Sequence, residues 1–184
     1  MRPGNRRGLA AAGLWGFAEA TVFFTVPDVL LTFLAQTSLR RALLAGLAAA
    51  ICASLGGAAV YGLALGSPDT AHAVLLAIPG ISAELVARVA DLLRSGLLQG
   101  LVAGSLSGAP YKIFAVEAAT SGVPLIPFLL ASLPARLLRF LLASLVSWLV
   151  FAKLLSGLAL RTRRLLLAGF WLVFYAGYFA AMGW

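Results

Sequence analysis

The chain has 184 residues, of which 62% are hydrophobic and 11% charged, and its mean hydropathy is +1.01; soluble domains carry about 25% charged residues, so composition excludes an ordinary soluble protein and points to one integral membrane domain. The net charge of +8 is not a nucleic-acid signature, because the cations cluster in short segments beside apolar runs, as the positive-inside rule requires, and no aromatic-interleaved basic surface accompanies them. Cys52 is the single cysteine, which excludes an intrachain disulfide and argues against a metal–thiolate centre.

In chain order, residues 9–37 form an apolar stretch interrupted by Pro27 and holding two acids, Glu19 and Asp28. Its opening imitates a signal peptide with an Ala18-Glu19-Ala20 cleavage site, but the acid there and the continuation through Phe23 and Phe24 read as a retained segment. Residues 42–66 contain no charge and are long enough for the roughly 30 Å hydrocarbon core. Ala49, Ala53 and Gly57, and Gly46, Ala50, Ser54 and Ala58, recur every fourth residue, a spacing that lets helices approach closely on more than one side.

Ser67-Pro68-Asp69 has the composition of a helix start: hydroxyl cap, proline in the first turn, acid beside it. Pro79-Gly80 breaks the segment begun there. Ser82–Ser95 resumes as an amphipathic helix, with Val86, Val89, Leu92 and Leu93 on one face and ion pairs expected among Glu84, Arg88, Asp91 and Arg94 on the other. It is too polar to span and is expected at an interface. Residues 97–133 form a second apolar stretch broken by Gly108 and Pro110 and holding Lys112 and Glu117. Leu137–Leu155 and Leu165–Met182 are two further spanning candidates, separated by the basic turn Arg161-Thr162-Arg163-Arg164. The aromatic end, from Phe170 and Trp171 through Tyr175, Tyr178, Phe179 and Trp184, reads as a lipid-facing helix with an interfacial belt.

Charge distribution sets the expected topology. If residues 9–37 enter and return as a re-entrant hairpin turning near Pro27, then Arg2, Arg6, Arg7, Arg40 and Arg41 share one side. Residues 97–133 then dip from the opposite side, and Lys153, Arg161, Arg163 and Arg164 join the first group. Arg88 and Arg94 remain outside, offset by Asp69, Glu84 and Asp91. The positive-inside rule prefers this arrangement. The expected fold is therefore all-α: a polytopic membrane protein with two opposed re-entrant helical hairpins in an inverted repeat, about three spanning helices and an amphipathic interfacial helix. Its parts are the first hairpin and spanning helix (1–66), a linker (67–96), the second hairpin and spanning helix (97–158), and a C-terminal helix (163–184). Such repeats put substrate sites near mid-membrane, where broken elements meet.

Ionisable groups inside apolar stretches are functional candidates by default. Glu19 and Asp28 flank the first turn; a carboxylate taken out of water favours its protonated form, so both are candidates for proton coupling, against a helix-cap role for Asp28 and snorkelling for Glu19. Gly108, Pro110, Tyr111 and Lys112 form a break ending in a cation suited to phosphate. Glu117 is expected to pair with Lys112 or with an arginine, either as part of that site or as a buried structural ion pair that fixes the hairpin. Arg136 and Arg139 follow Pro134 and share an inward face with Phe140, Ser144 and Ser147; they clamp a phosphate or snorkel to the interface. His72, the one histidine, lies far along the chain from both hairpins, so neither a nucleophile triad nor a metal site is expected. No nucleotide-binding glycine loop is present, so the chain reads as a non-enzyme without cofactor or metal.

Several of these residues resemble the DedA/VTT membrane-protein family, formerly labelled SNARE-associated, and its smaller YqaA-like branch. The resemblance rests on Glu19 with Val26-Pro27-Asp28, on Arg94-Ser95-Gly96, on Gly108-Ala109-Pro110-Tyr111-Lys112, and on Gly122, Phe128, Arg136 and Arg139, and it covers about residues 9–158. The family's acidic pair corresponds to Glu19 and Asp28, and the arginine of its P-x-x-R element to Lys112; its G-R-F-x-P arginine has no counterpart between Arg94 and Lys112, which makes Arg136 or Arg139 the candidate second cation. The resemblance implies lipid translocation: proton-linked recycling of undecaprenyl phosphate in bacterial members and phospholipid scrambling in eukaryotic relatives. The expected protein is a flippase or scramblase of the bacterial inner membrane, multi-pass with a cytoplasmic N-terminus, whose partners are protons and lipids with anionic phosphate headgroups; homo-oligomerisation is left open. The alternatives are a proton- or ion-coupled small-solute transporter and a non-transporting membrane scaffold.

Overall fold

Prolines and glycines decide where the helices of this chain stop. In the computed structural model, which describes residues 3–182 and the side chains of 7–180, the elements are α1 (Pro3–Thr21), α2 (Asp28–Ala35), α3 (Leu39–Gly66), α4 (Pro68–Leu76), α5 (Ala83–Arg94), α6 (Leu97–Ser107), α7 (Tyr111–Thr120), α8 (Leu125–Ser147) and α9 (Leu160–Met182). Arg2 and Trp184 lie outside the described residues, as does the side chain of Arg6. The fold is all-α, with no strand among the described residues.

The elements repeat an order. A helix, a break and a second helix lead into a long helix, first as α1, Val22–Pro27, α2 and α3, then as α6, Gly108–Pro110, α7 and α8. The two long helices pack together near Gly46, where an added Cβ would lie 3.4 Å from the Phe140 side chain. Small residues make these approaches possible: a methyl at Gly16 would strike the Ala49 backbone, and one at Gly57 would meet the Tyr111 ring at 2.5 Å. Ala49, Ala53 and Gly57 are buried, as are Gly46 and Ala50, while Ser54 and Ala58 are only half-buried. The small-residue repeats thus mark contact faces for α1, α7 and α8.

Several boundaries differ from those read in the sequence. The second broken pair ends at Thr120, because Gly122 takes a left-handed conformation (φ 78°) before Pro124. Pro134 starts no helix: it lies inside α8, which continues through a π-helical stretch, Trp148–Leu154. Arg136 and Arg139 therefore sit mid-helix rather than at a helix start. The cations Arg161, Arg163 and Arg164 belong to the first turns of α9, not to a connecting turn. Ser67 occupies the cap position of α4 without a side-chain bond, whereas Ser82 does cap α5 by accepting from the Leu85 amide. On α5 only Asp91 and Arg94 form an ion pair; its apolar face packs on α6 and α7, with Val89 buried.

Two helices among the described residues, Leu39–Gly66 and Leu125–Leu154, are long and apolar enough to cross a membrane. At the end where α3 begins, Ser147 donates to the Thr32 carbonyl (2.9 Å), Gln36 to the Arg163 carbonyl (3.3 Å) and Arg163 to the Phe151 carbonyl (2.8 Å). These bonds draw Arg40, Arg41, Lys153 and the arginines of α9 to one end of the molecule. Tyr61 marks the other end, donating to the Val123 carbonyl at 2.6 Å.

Candidate functional site at the meeting of two helix breaks

A helix break frees backbone groups that must find partners when buried. In Val22–Pro27 the Val22 and Phe23 amides fold back on the Ala18 carbonyl (2.9 and 2.7 Å), and three further groups find side-chain partners on helices α1, α7 and α9. Trp15 of α1 donates to the Thr25 carbonyl (2.8 Å), Lys112 of α7 to the Phe23 carbonyl (2.7 Å), and the Val26 amide donates to the Tyr175 hydroxyl of α9 (3.0 Å). Lys112 is the deepest cation among the described residues, 2% exposed, and its bond joins one break to the other.

The two acids of the first broken pair meet the two arginines of α8. Glu19 and Arg136 form an ion pair with both side chains 7% exposed. Asp28, at the start of α2, pairs with Arg139 at 2.8 Å, and Arg139 also donates to the Ser105 carbonyl of α6 at 2.7 Å. Arg136 lies 4.5 Å above the centre of the Tyr111 ring and 5.3 Å from that of Phe140, a cation–π setting that holds the guanidinium from below. Tyr111 in turn stacks on Phe128 at 5.7 Å. Neither arginine snorkels. The Ser144 and Ser147 face of α8 is buried as its spacing predicts.

These groups border a cavity of about 250 Å³. Its charged lining is unequal: Arg88, Lys112, Arg136 and Arg139 face one acid, Glu19. Asp28 lies behind Arg139 and does not line the space. Pro27, Gly108 and Pro110, from the two helix breaks, do line it. Such a site can hold an anion with several oxygens, since guanidinium groups offer paired donors and lysine a point charge.

Four expectations are corrected. Glu117 takes no part in this site and does not pair with Lys112; it bonds His72 of α4 at 2.8 Å. Lys112 and Glu117 fall on different faces of α7, so they point apart. His72 accordingly is not remote from the second broken pair but fastened to its α7, and the hydrogen bond to Glu117 raises its pKa above the usual histidine value. Tyr111 supports Arg136 instead of lining the cavity. Finally, the aromatic end is more than a lipid belt: Phe174, Tyr175 and Tyr178 wall the cavity, and Trp171 donates to the Thr32 hydroxyl at 3.0 Å. Sequence reading missed Trp15, Arg88 and Tyr175 as site residues. A single Trp or Tyr in an apolar helix carries no one-dimensional sign of a partner as distant as Val26 is from Tyr175, and Arg88 sat within a plausible helical charge pattern.

Over 133 residues, 72% of this chain and 68% of the relative, the sequence is 30% identical to an uncharacterized protein of Haemophilus influenzae (strain ATCC 51907 / DSM 11121 / KW20 / Rd). The chain belongs to that protein's family. No family model and no solved structure matches it.

Proposed function

We propose that this protein is a multi-pass transporter of the bacterial inner membrane, of the DedA/VTT type, that moves a phosphate-bearing lipid such as undecaprenyl phosphate or a phospholipid between leaflets. In this reading the two broken pairs are re-entrant hairpins from opposite sides, α9 is a further spanning helix, and the cation-rich end with the N-terminus faces the cytoplasm. The observation that carries it is the meeting of two helix breaks at a cavity whose cations outnumber its acids. Broken backbone at membrane depth occurs where protein or a watery cavity covers it, and transporters put their sites there.

The ion pairs supply a mechanism. Arg136 and Arg139 are held by Glu19 and Asp28, so an arriving phosphate competes with carboxylates for the same guanidinium donors. When Glu19 takes a proton it loses the charge that holds Arg136, and Arg136 turns to a phosphate oxygen. When the proton leaves, the carboxylate reclaims Arg136 and the phosphate is released. Lys112 keeps the two breaks together while adding positive charge. The test is a proteoliposome assay of lipid movement between leaflets. Loss of a charge-assisted bond of about 1.5–3 kcal/mol slows transport by about tenfold or more in Lys112→Ala and in Glu19→Gln. Variants that translocate lipid as fast as wild type, at equal reconstitution, would sink the reading.

A further inference from the structure

A second cavity, of about 230 Å³, lies on the other side of Lys112. It is walled by Val22, Val60, Leu63, Leu75 and Val116, with Ala59, Ala71 and Val74 completing it. Its polar lining residues are Lys112 and Thr21, and the Thr21 hydroxyl is spent on the Phe17 and Ala18 carbonyls of its own helix. Two residues, Lys112 and Ile78, border both cavities. The first break divides them: Val22 lines the apolar space and the next residue, Phe23, the charged one. The apolar space is open along Val22, Leu63 and Val74, which are 74%, 47% and 46% exposed.

We infer that this second cavity is a binding groove for the hydrocarbon chain of the same lipid whose phosphate occupies the charged cavity, with Lys112 at the junction of head and tail. The inference rests on the lipid-transport reading above. A small phosphate solute needs the charged cavity alone; an amphiphile needs an anion site with an apolar groove joined to it. The chain leaves the groove along Val22, Leu63 and Val74 toward the bilayer, so only its first segment is held by protein.

The experiment is calorimetric binding of inorganic phosphate and decyl phosphate to the purified full chain in nanodiscs. Burying one methylene tightens binding by about fourfold, so wild type binds decyl phosphate at least about tenfold more tightly than inorganic phosphate, even with most of the chain left in lipid. Ala59→Trp, at an exposed position on the groove wall, cuts that gain to what decyl phosphate partitioning into protein-free nanodiscs accounts for and leaves inorganic phosphate binding unchanged. Val74→Trp, which fills the groove from α4, does the same, and serves if the first variant fails to fold. Leu55→Trp, on the exposed side of α3 outside both cavities, keeps the wild-type gain. If the two groove variants keep the full gain while phosphate still binds, the groove assignment is overturned and the headgroup reading stands. If wild type binds neither compound, or Arg136→Gln and Lys112→Ala bind both as wild type does, the transport reading falls and the groove with it.

Discussion

The first helix break spans Val22–Pro27 and contains no glycine, whereas the second spans Gly108–Pro110 and opens on a glycine with φ 85°. The second break turns locally, the Gly108 and Ala109 amides both donating to the Gly104 carbonyl, the latter at 3.0 Å, and it draws one outside donor, Arg139, to the Ser105 carbonyl in the last turn of α6. The first opens on the same kind of local turn, the Val22 and Phe23 amides donating to the Ala18 carbonyl at 2.9 and 2.7 Å, but the rest of it depends on Trp15, Lys112 and Tyr175, which reach it from α1, α7 and α9. The difference teaches that both breaks open on a local turn, and that the longer one leaves more backbone for the assembled fold to satisfy. It also divides the chemistry. The long break carries an acid on either side, and the short one delivers the lysine that closes the contact.

That contrast can be tested by breaking its supports one at a time. The largest effect is expected from Arg136→Ala, which leaves the Glu19 carboxyl buried without its guanidinium partner; removing one partner of such a pair costs about 3–5 kcal/mol. Denaturant unfolding in detergent measures it, and adding Glu19→Gln to the same chain recovers part of the loss. An additive double variant would show that the ion pair does not couple the first broken helix pair to α8. Lys112→Met strips the Phe23 carbonyl of its donor, for about 1–3 kcal/mol, and speeds amide exchange across residues 22–27 more than across 108–110. Equal acceleration at the two breaks would contradict the division drawn above.

Smaller effects come from the local devices. Gly108→Ala forces a side chain into the left-handed region at about 1–2 kcal/mol, and its exchange signature stays at the second break. Tyr175→Phe removes the acceptor of the Val26 amide for about 0.5–1.5 kcal/mol and loosens the first break alone, as tryptophan fluorescence of Trp15 and Trp171 reports. The smallest concerns the clasp between α4 and α7, outside both candidate spanning helices. His72 has its pKa raised by the hydrogen bond to Glu117. Stability from that pairing is fully present below the ordinary histidine value of 6.5 and fades as pH rises through the raised folded value. Because the His72 side chain is 37% exposed, solvent screening holds the effect to no more than about 1 kcal/mol. His72→Gln flattens the pH dependence of the unfolding midpoint; an unchanged slope would exclude the clasp.

Composition and spacing alone determined the all-α class, the long helix over 42–66, the breaks at Pro27, Pro79-Gly80 and Gly108–Pro110, and the inward face of Arg136, Phe140, Ser144 and Ser147. Each is written locally: apolar runs too long for strands, residues that lack an amide hydrogen or a side chain, and a helical period that puts every fourth residue on one face. Glu19, Asp28, Lys112, Arg136 and Arg139 were legible as candidates because charge in an apolar stretch is costly wherever it folds, and the structure joins them as two ion pairs and a lysine between the breaks. Only the tertiary structure decided who pairs with whom. Glu117 went to His72, the acids took the two arginines, and Tyr175 closed a break far away in the chain. Partners at such distances are chosen by packing geometry, since a buried charge or an orphaned amide is satisfied by whichever group the neighbouring helix presents, and no period in the sequence records which helix that will be.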